Sequence, residues 1–311
     1  MTTVVFFISG HGFGHASREV EIINALGAQL GADLRLIIRS AVSAGLLERT
    51  VKVPYVLRPG ICDTGIVQAN SVTHDDDATT SAAAAFYANF DARVAEEADA
   101  LRADAPRVIV CDASPLGLAV AHALGVPSVF IGNFTWDWIY ETHADLPIQA
   151  PHVIPTIRQA HAMATIALRL PLAPSFEGTG LPPAEDLPLV ARQPARSRHE
   201  TRAALDLPVD QRLALLSFGG YGLNELDLHA VDCADRWHLV VADQSMSDPR
   251  IRELPYVHVV RERDLGGAVR YEDLVAAVDA VITKPGFGII GECATAGTPL
   301  LYTSRGEFRE Y

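Results

Sequence analysis

The sequence predicts two doubly wound α/β domains, each a parallel sheet with helices on both faces. Three observations carry that expectation. Short apolar runs alternate with segments of helical period along the chain, the pattern of successive βαβ units. A proline- and glycine-rich stretch interrupts the alternation near the middle, and three glycine-rich turns directly follow apolar runs. At 311 residues the chain has room for two domains of about 150 residues each.

Residues 4–9 are continuously apolar and read as the first strand. Residues 16–30 carry apolar positions at helical spacing, and residues 33–39 turn apolar again. One alanine-rich helix is expected over 79–101, then strand 107–111, helix 115–124 and strand 127–131. Residues 1–175 form the first domain on this reading, 176–189 a Pro/Gly-rich linker and 190–311 the second domain. There the alternation resumes with helix 198–205, begun by a capping box of Ser197 and Glu200, and strands 212–217 and 237–242. Helix 272–278, strand 280–283, a helix from Gly288 and strand 300–303 complete it.

Composition narrows the function. Hydrophobic residues make up 49% and charged residues 20%, and no apolar run reaches the length of about 18 residues that a membrane span needs. The first residues run straight into a strand without a basic leader, so a cytoplasmic location is expected. Cys62, Cys111, Cys233 and Cys293 are scattered without C-x-x-C spacing, against a disulfide framework or a structural zinc site. A net charge of −13 repels nucleic acid.

The three turns are SGHGFGH after residues 4–8, SFGGYG after 213–216 and KPGFG after 281–283. Ligands of open α/β sheets bind at the carboxyl ends of strands, and glycine lets backbone N–H groups approach an anion closely there. A tight βα turn alone would also explain each one. Gly10-x-Gly12-x-Gly14 lacks the dinucleotide spacing, and the second strand ends in Arg39 rather than an acid, which disfavours NAD and leaves NADP only Arg39. Lys284 precedes its glycines, so a Walker-type loop is disfavoured too.

GHGFGHASR, NFTWDWIY, SRHETRAALDLP and ITKPGFGIIGECATAGTPLL together resemble the GT-B glycosyltransferases, the MurG-like branch in particular. They are most similar to the glycosyltransferase-like half of plant L-arabinokinase. The resemblance implies two Rossmann-like domains facing a cleft, with a nucleotide-sugar donor of UDP type on the second and a hydroxyl acceptor on the first. It puts His15 on the family's general base, and Gly286, Gly288 and Glu292 on its donor loop, the carboxylate gripping the ribose hydroxyls. It also implies closing helices beyond the position of Tyr311, hence a truncated second domain.

The chemistry of the residues is compatible. Imidazole accepts a proton near neutral pH, and Asp112, at the end of its own strand, could orient His15 or simply cap the next helix. Glu292 lies one turn beyond Gly288 and could bind ribose or only complement the helix dipole. Ser217, Gly219 and Gly220 could donate to a leaving diphosphate. Gly12 and Gly14 make room for substrate, with Arg18 beside them to bind it or to satisfy a nearby acid. Arg192, in a basic cluster with Arg196, Arg198 and Arg202, could reach phosphate or sit on a solvated face. Trp136 and Asp137 could stack on and bind a sugar, or Trp136 and Tyr140, four apart, could form a buried helix face. His74-Asp75-Asp76-Asp77 resembles a metal cluster, but helix capping explains it well, and no metal or other cofactor is expected.

The expectation is therefore a metal-independent, inverting glycosyltransferase of hexosyltransferase type. Alternatives are a non-catalytic nucleotide-sugar module or sensor, and a nucleotide-sugar epimerase.

Overall fold

In a computed structural model, residues 1–70, 73–218, 228, 236–242, 249–265, 267–303 and 309 are described. They divide into two compact units, Met1–Val67 with His74–Val190, and Ala191–Gly306, apart from short exchanged segments.

The first unit is built on β1 (Thr2–Ile8), a β-branched and aromatic run buried almost throughout, as a central parallel strand covered on both faces requires. Helix α1 (Phe13–Leu30) follows, then β2 (Leu34–Ser40), α2 (Ala44–Thr50) and β3 (Tyr55–Pro59). The predicted helix over 79–101 is two helices, α3 (Asp76–Ala88) and α4 (Phe90–Arg102). The chain leaves helical geometry at Asn89, whose φ is −111° and ψ 23°. Next come β4 (Val108–Asp112), α5 (Pro115–Leu124), β5 (Ser128–Gly132), α6 (Trp136–Tyr140), α7 (Leu146–Gln149), α8 (Val153–His161) and β6 (Ile166–Arg169). The segment read as a linker contributes β7 (Ala184–Asp186), paired to β6 in register Arg169 with Asp186, where the two side chains also form an ion pair at 2.7 Å. Prolines and glycines there flank a short edge strand, which tolerates them.

Among the described residues the first sheet is all parallel with order β3-β2-β1-β4-β5-β6-β7. The second contains β8 (Leu213–Ser217), β9 (His238–Ala242), β10 (Val257–Val260), β11 (Ala280–Thr283) and β12 (Leu300–Tyr302), in order β10-β9-β8-β11-β12. Its helices are α9 (Arg198–Ala204), with the predicted Ser197–Glu200 capping box, α10 (Tyr271–Ala277) and α11 (Phe287–Ala296). Alternate β8 residues pack into different cores: Leu213 and Leu215 with Val240 and Leu274, Ala214 and Leu216 with Val241 and Tyr256. Each sheet reverses its winding beside its first strand, between β1 and β4 and between β8 and β11, where open α/β sheets leave a crevice for ligand.

Helix α5 lies close on the first sheet. Ser114 caps it through the Gly117 N–H, and it ends in a left-handed Gly125. A Cβ on Gly117 would stand 2.6 Å from Cys111 Sγ and 2.8 Å from Phe7 Cγ. Gly117→Ala should therefore destabilise the protein by about 1–3 kcal/mol, read as a lower urea midpoint at unchanged slope. A change below about 0.5 kcal/mol would contradict this packing.

Candidate active site

At the first winding reversal a set of ionisable side chains is packed out of water. Ile8 and Asp112 are register partners at the ends of β1 and β4, so Asp112 sits beside the start of the loop leading to α1. That loop turns at Gly12, where a φ of +82° favours glycine, and α1 begins one residue later. His15 is then in the first helical turn, with Arg18 and Glu19 three and four residues on, along one face. His15 Nδ1 lies 2.8 Å from Asp112 Oδ2, Arg18 Nη2 donates to Asp112 Oδ1, and the Ser9 N–H donates to Oδ2 at 3.3 Å. Arg18 also donates to Asn133 Oδ1 at 2.5 Å and meets Glu19 at 3.4 Å. Ser9 Oγ donates to Asp63 Oδ1 at 3.1 Å. Asp112 is followed by Ala113 at φ 50°, a strained left-handed conformation for a residue with a Cβ.

The electrostatics follow from this packing. Burial opposes ionisation of Asp112, but the charges of His15 and Arg18 hold it below the usual carboxylate range. Burial pulls the His15 imidazole down, and Asp112, by charge and hydrogen bond, more than reverses that, so His15 titrates above its ordinary value. Burial, reinforced by the Asp112 charge, pushes Glu19 up to about 8. Burial likewise pushes Asp63 up to about 7 against the pull of His15 and Ser9. Because Nδ1–H donates its hydrogen bond to the ionised carboxylate, neutral His15 presents Nε2 as its basic nitrogen.

Other expected residues of the first domain take structural places. Arg18 is engaged by Asp112, Glu19 and Asn133, contacts that fit the alternative in which it satisfies a nearby acid. Trp136 is fully buried and stacks on Tyr140 at 5.9 Å, the buried helix face and not an open platform for sugar. Its ring also lies nearly parallel to that of His15, with centroids 6.3 Å apart. Asp137, equally buried, pairs with Arg158 at 2.8 Å and is closed to a sugar. Arg39 is paired with Glu97. Gly12 is exposed and a Cβ there would meet open space, while Gly14 is half-buried in the first turn of α1. Cys62, Cys111 and Cys293 are free and buried.

In the second domain Arg192, for which a phosphate contact and a solvated face were both open, is paired with two acids. Its Nε donates to Glu292 Oε1 at 2.8 Å, and Nη1 lies 3.3 Å from Glu272. The guanidinium also stands over the Tyr271 ring, 5.5 Å from its centroid, and Tyr271 hydrogen-bonds Ser217 through their hydroxyls. Glu292 lies on α11 one turn beyond Gly288, and Gly286 is the N-cap of that helix. Arg198 and Arg202 both hold Asp279 at 2.8 Å, and Arg202 is buried among backbone carbonyls, so they support the fold. Gly219, Gly220 and Cys233 lie outside the described residues. Sequence reasoning did not single out Glu19, Asp63, Asn133, Tyr271 or Glu272 as partners.

No family model matches the chain. It is 27% identical over 98% of its length to L-arabinokinase of Arabidopsis thaliana, and spans 28% of that protein. It is 29% identical over 46% of its length to the UDP-N-acetylglucosamine–N-acetylmuramyl-(pentapeptide) pyrophosphoryl-undecaprenol N-acetylglucosamine transferase of Clavibacter michiganensis, spanning 39% of it. Among solved structures, it superposes on Phytolacca americana UGT2, complexed with UDP-2fluoro-glucose and pterostilbene, with a TM-score of 0.64 at 13% identity. That match covers 98% of this chain and 80% of the other. The glycosyltransferase SnogD of Streptomyces nogalater gives 0.61 at 18% identity, over 100% of this chain and 83% of the other.

Removing Asp112 would leave Arg18 buried without its strongest partner. Asp112→Ala should cost about 3–5 kcal/mol in urea denaturation near neutral pH, and adding Arg18→Met should recover part of that. A loss below about 1 kcal/mol would show that the pair is not desolvated.

Proposed function

We propose that this chain, which has the GT-B fold of two Rossmann-like domains, is a glycosyltransferase using a nucleotide-sugar donor. The observation that carries the reading is the buried His15–Asp112 pair at the carboxyl ends of β1 and β4. Asp112 holds the Nδ1 proton, Nε2 of His15 takes the proton of an acceptor hydroxyl, and that oxygen attacks the anomeric carbon of the donor. The bond to the nucleoside diphosphate breaks in the same displacement, which inverts the anomeric centre.

On this reading the donor belongs to the second domain. Gly286 and Gly288 bring the N-terminus of α11 close to the diphosphate, Ser217 supplies a further donor, and ribose hydroxyls donate to Glu292, held in place by Arg192. Charge on the leaving group is met by these dipoles, so the displacement proceeds without a catalytic metal. UDP as the nucleotide and the cytoplasm as the location belong to the same proposal. A second reading, a nucleotide-sugar-binding module without turnover, is favoured by the match to 28% of a longer protein named for a kinase. UDP release from a panel of UDP-sugars with hydroxyl acceptors separates the two: a transferase releases nucleotide, a module only binds.

His15→Ala should lower turnover by about 10²- to 10⁴-fold while leaving donor affinity within a few-fold. Retained turnover would remove His15 as the base. In the wild type, kcat/KM should rise with pH as His15 loses its proton, with a midpoint above about 6.5 because its pKa is raised. A midpoint below that value would contradict the assigned role of Asp112.

A further inference from the structure

Three side chains from two separate segments of the first domain converge away from the residues assigned to transfer. His74 precedes α3, Asp76 is its first residue, and His143 lies in the turn after α6. His74 Nε2 is 3.2 Å from Asp76 Oδ1, and His143 Nδ1 is 2.6 Å from the same oxygen. One donor atom from each lies within 4.8 Å of the others. Capping of α3 is done by the neighbouring Asp75, which accepts from the Ala78 N–H at 2.8 Å, so capping does not account for the Asp76 carboxylate.

His143 supplies the independent observation. It is only 4% exposed, yet among the described residues its Nδ1 makes no hydrogen bond; the approach to Asp76 is close but not aligned as one. A buried imidazole nitrogen without a hydrogen bond, aimed at a carboxylate and beside a second imidazole, is costly unless something bridges them.

We propose that His74, Asp76 and His143 bind one divalent transition-metal ion, zinc by preference, with water as the fourth ligand. Two nitrogens and one oxygen are a zinc donor set, whereas magnesium favours oxygen alone. Around tetrahedral zinc, ligand atoms sit about 3.3 Å apart, so His74 and Asp76 are already at that spacing and His143 must withdraw by less than about 1 Å.

The role is bracing. The ring of His143 touches Tyr140 at 6.3 Å, Tyr140 stacks on Trp136, and Trp136 on His15. The ion would tie the start of α3 to the turn after α6 and so steady the aromatic stack behind His15, taking no part in the displacement.

The test is calorimetric titration of the chelator-treated full chain with ZnCl₂ and, separately, MgCl₂. One zinc per chain is expected, weakened at least about tenfold in Asp76→Asn and in His74→Ala. Asp76, 58% exposed, can be replaced without opening the core. His258→Ala, which removes a close imidazole pair of the second domain, His238 Nδ1 to His258 Nε2 at 2.8 Å, should leave zinc binding unchanged. Cobalt in place of zinc should give the intense visible absorption of a tetrahedral site in the wild type and lose it in Asp76→Asn. No zinc binding by the wild type, equal binding of magnesium, binding undiminished in both ligand variants, or loss in His258→Ala would each overturn the proposal.

Discussion

The Asp112 carboxylate is the constraint on which the first domain depends. It is 1% exposed at the end of a central strand, and an ionised carboxylate there is tolerable only if charges and donors surround it. Arg18, His15 and the Ser9 N–H supply them, and two of the three belong to the first helix. To deliver both side chains to one carboxylate, α1 must begin immediately after the turn and present a single face, which is why the chain reverses through Gly12 at positive φ. Desolvation therefore fixes the fold of the turn and the orientation of the imidazole together.

The second domain uses a comparable device at its own winding reversal. Arg192 stands between Glu272 on α10 and Glu292 on α11, and so joins both helices to the segment entering the domain. Ser217 at the end of β8 is tied to Tyr271 on α10 by a hydroxyl contact. In each domain the carboxylate facing the strand ends is immobilised by an arginine, and such preorganisation lets fixed groups act on a substrate without reorganising.

The sheets and the His15–Asp112 pair were legible in the sequence because strand ends of a doubly wound sheet converge, and period and punctuation locate strand ends. What was not legible depended on partners distant in the chain. The pairing of Arg192 with Glu292 spans 100 positions and has no local mark. Trp136 at i and Tyr140 at i+4 fit a core face and a sugar platform equally, and only the packing, with Trp136 fully buried against Tyr140, separates them. The strand β7 was hidden among prolines and glycines, and the break at Asn89 within an alanine-rich run that has helical propensity on both sides. Glu19 lies in the helix expected over 16–30, four residues from His15, and that spacing is the signal that could have found it. His143 carried no such mark: nothing local pairs it with His74.

In the proposed mechanism Asp112 keeps His15 as a base with its proton on Nδ1. A pH titration of ¹⁵N-labelled protein by NMR, reading the two ring nitrogens of His15, measures this directly. A neutral form protonated on Nδ1 and a midpoint above about 6.5 are expected. A neutral form protonated on Nε2, or a midpoint below that value, would contradict it.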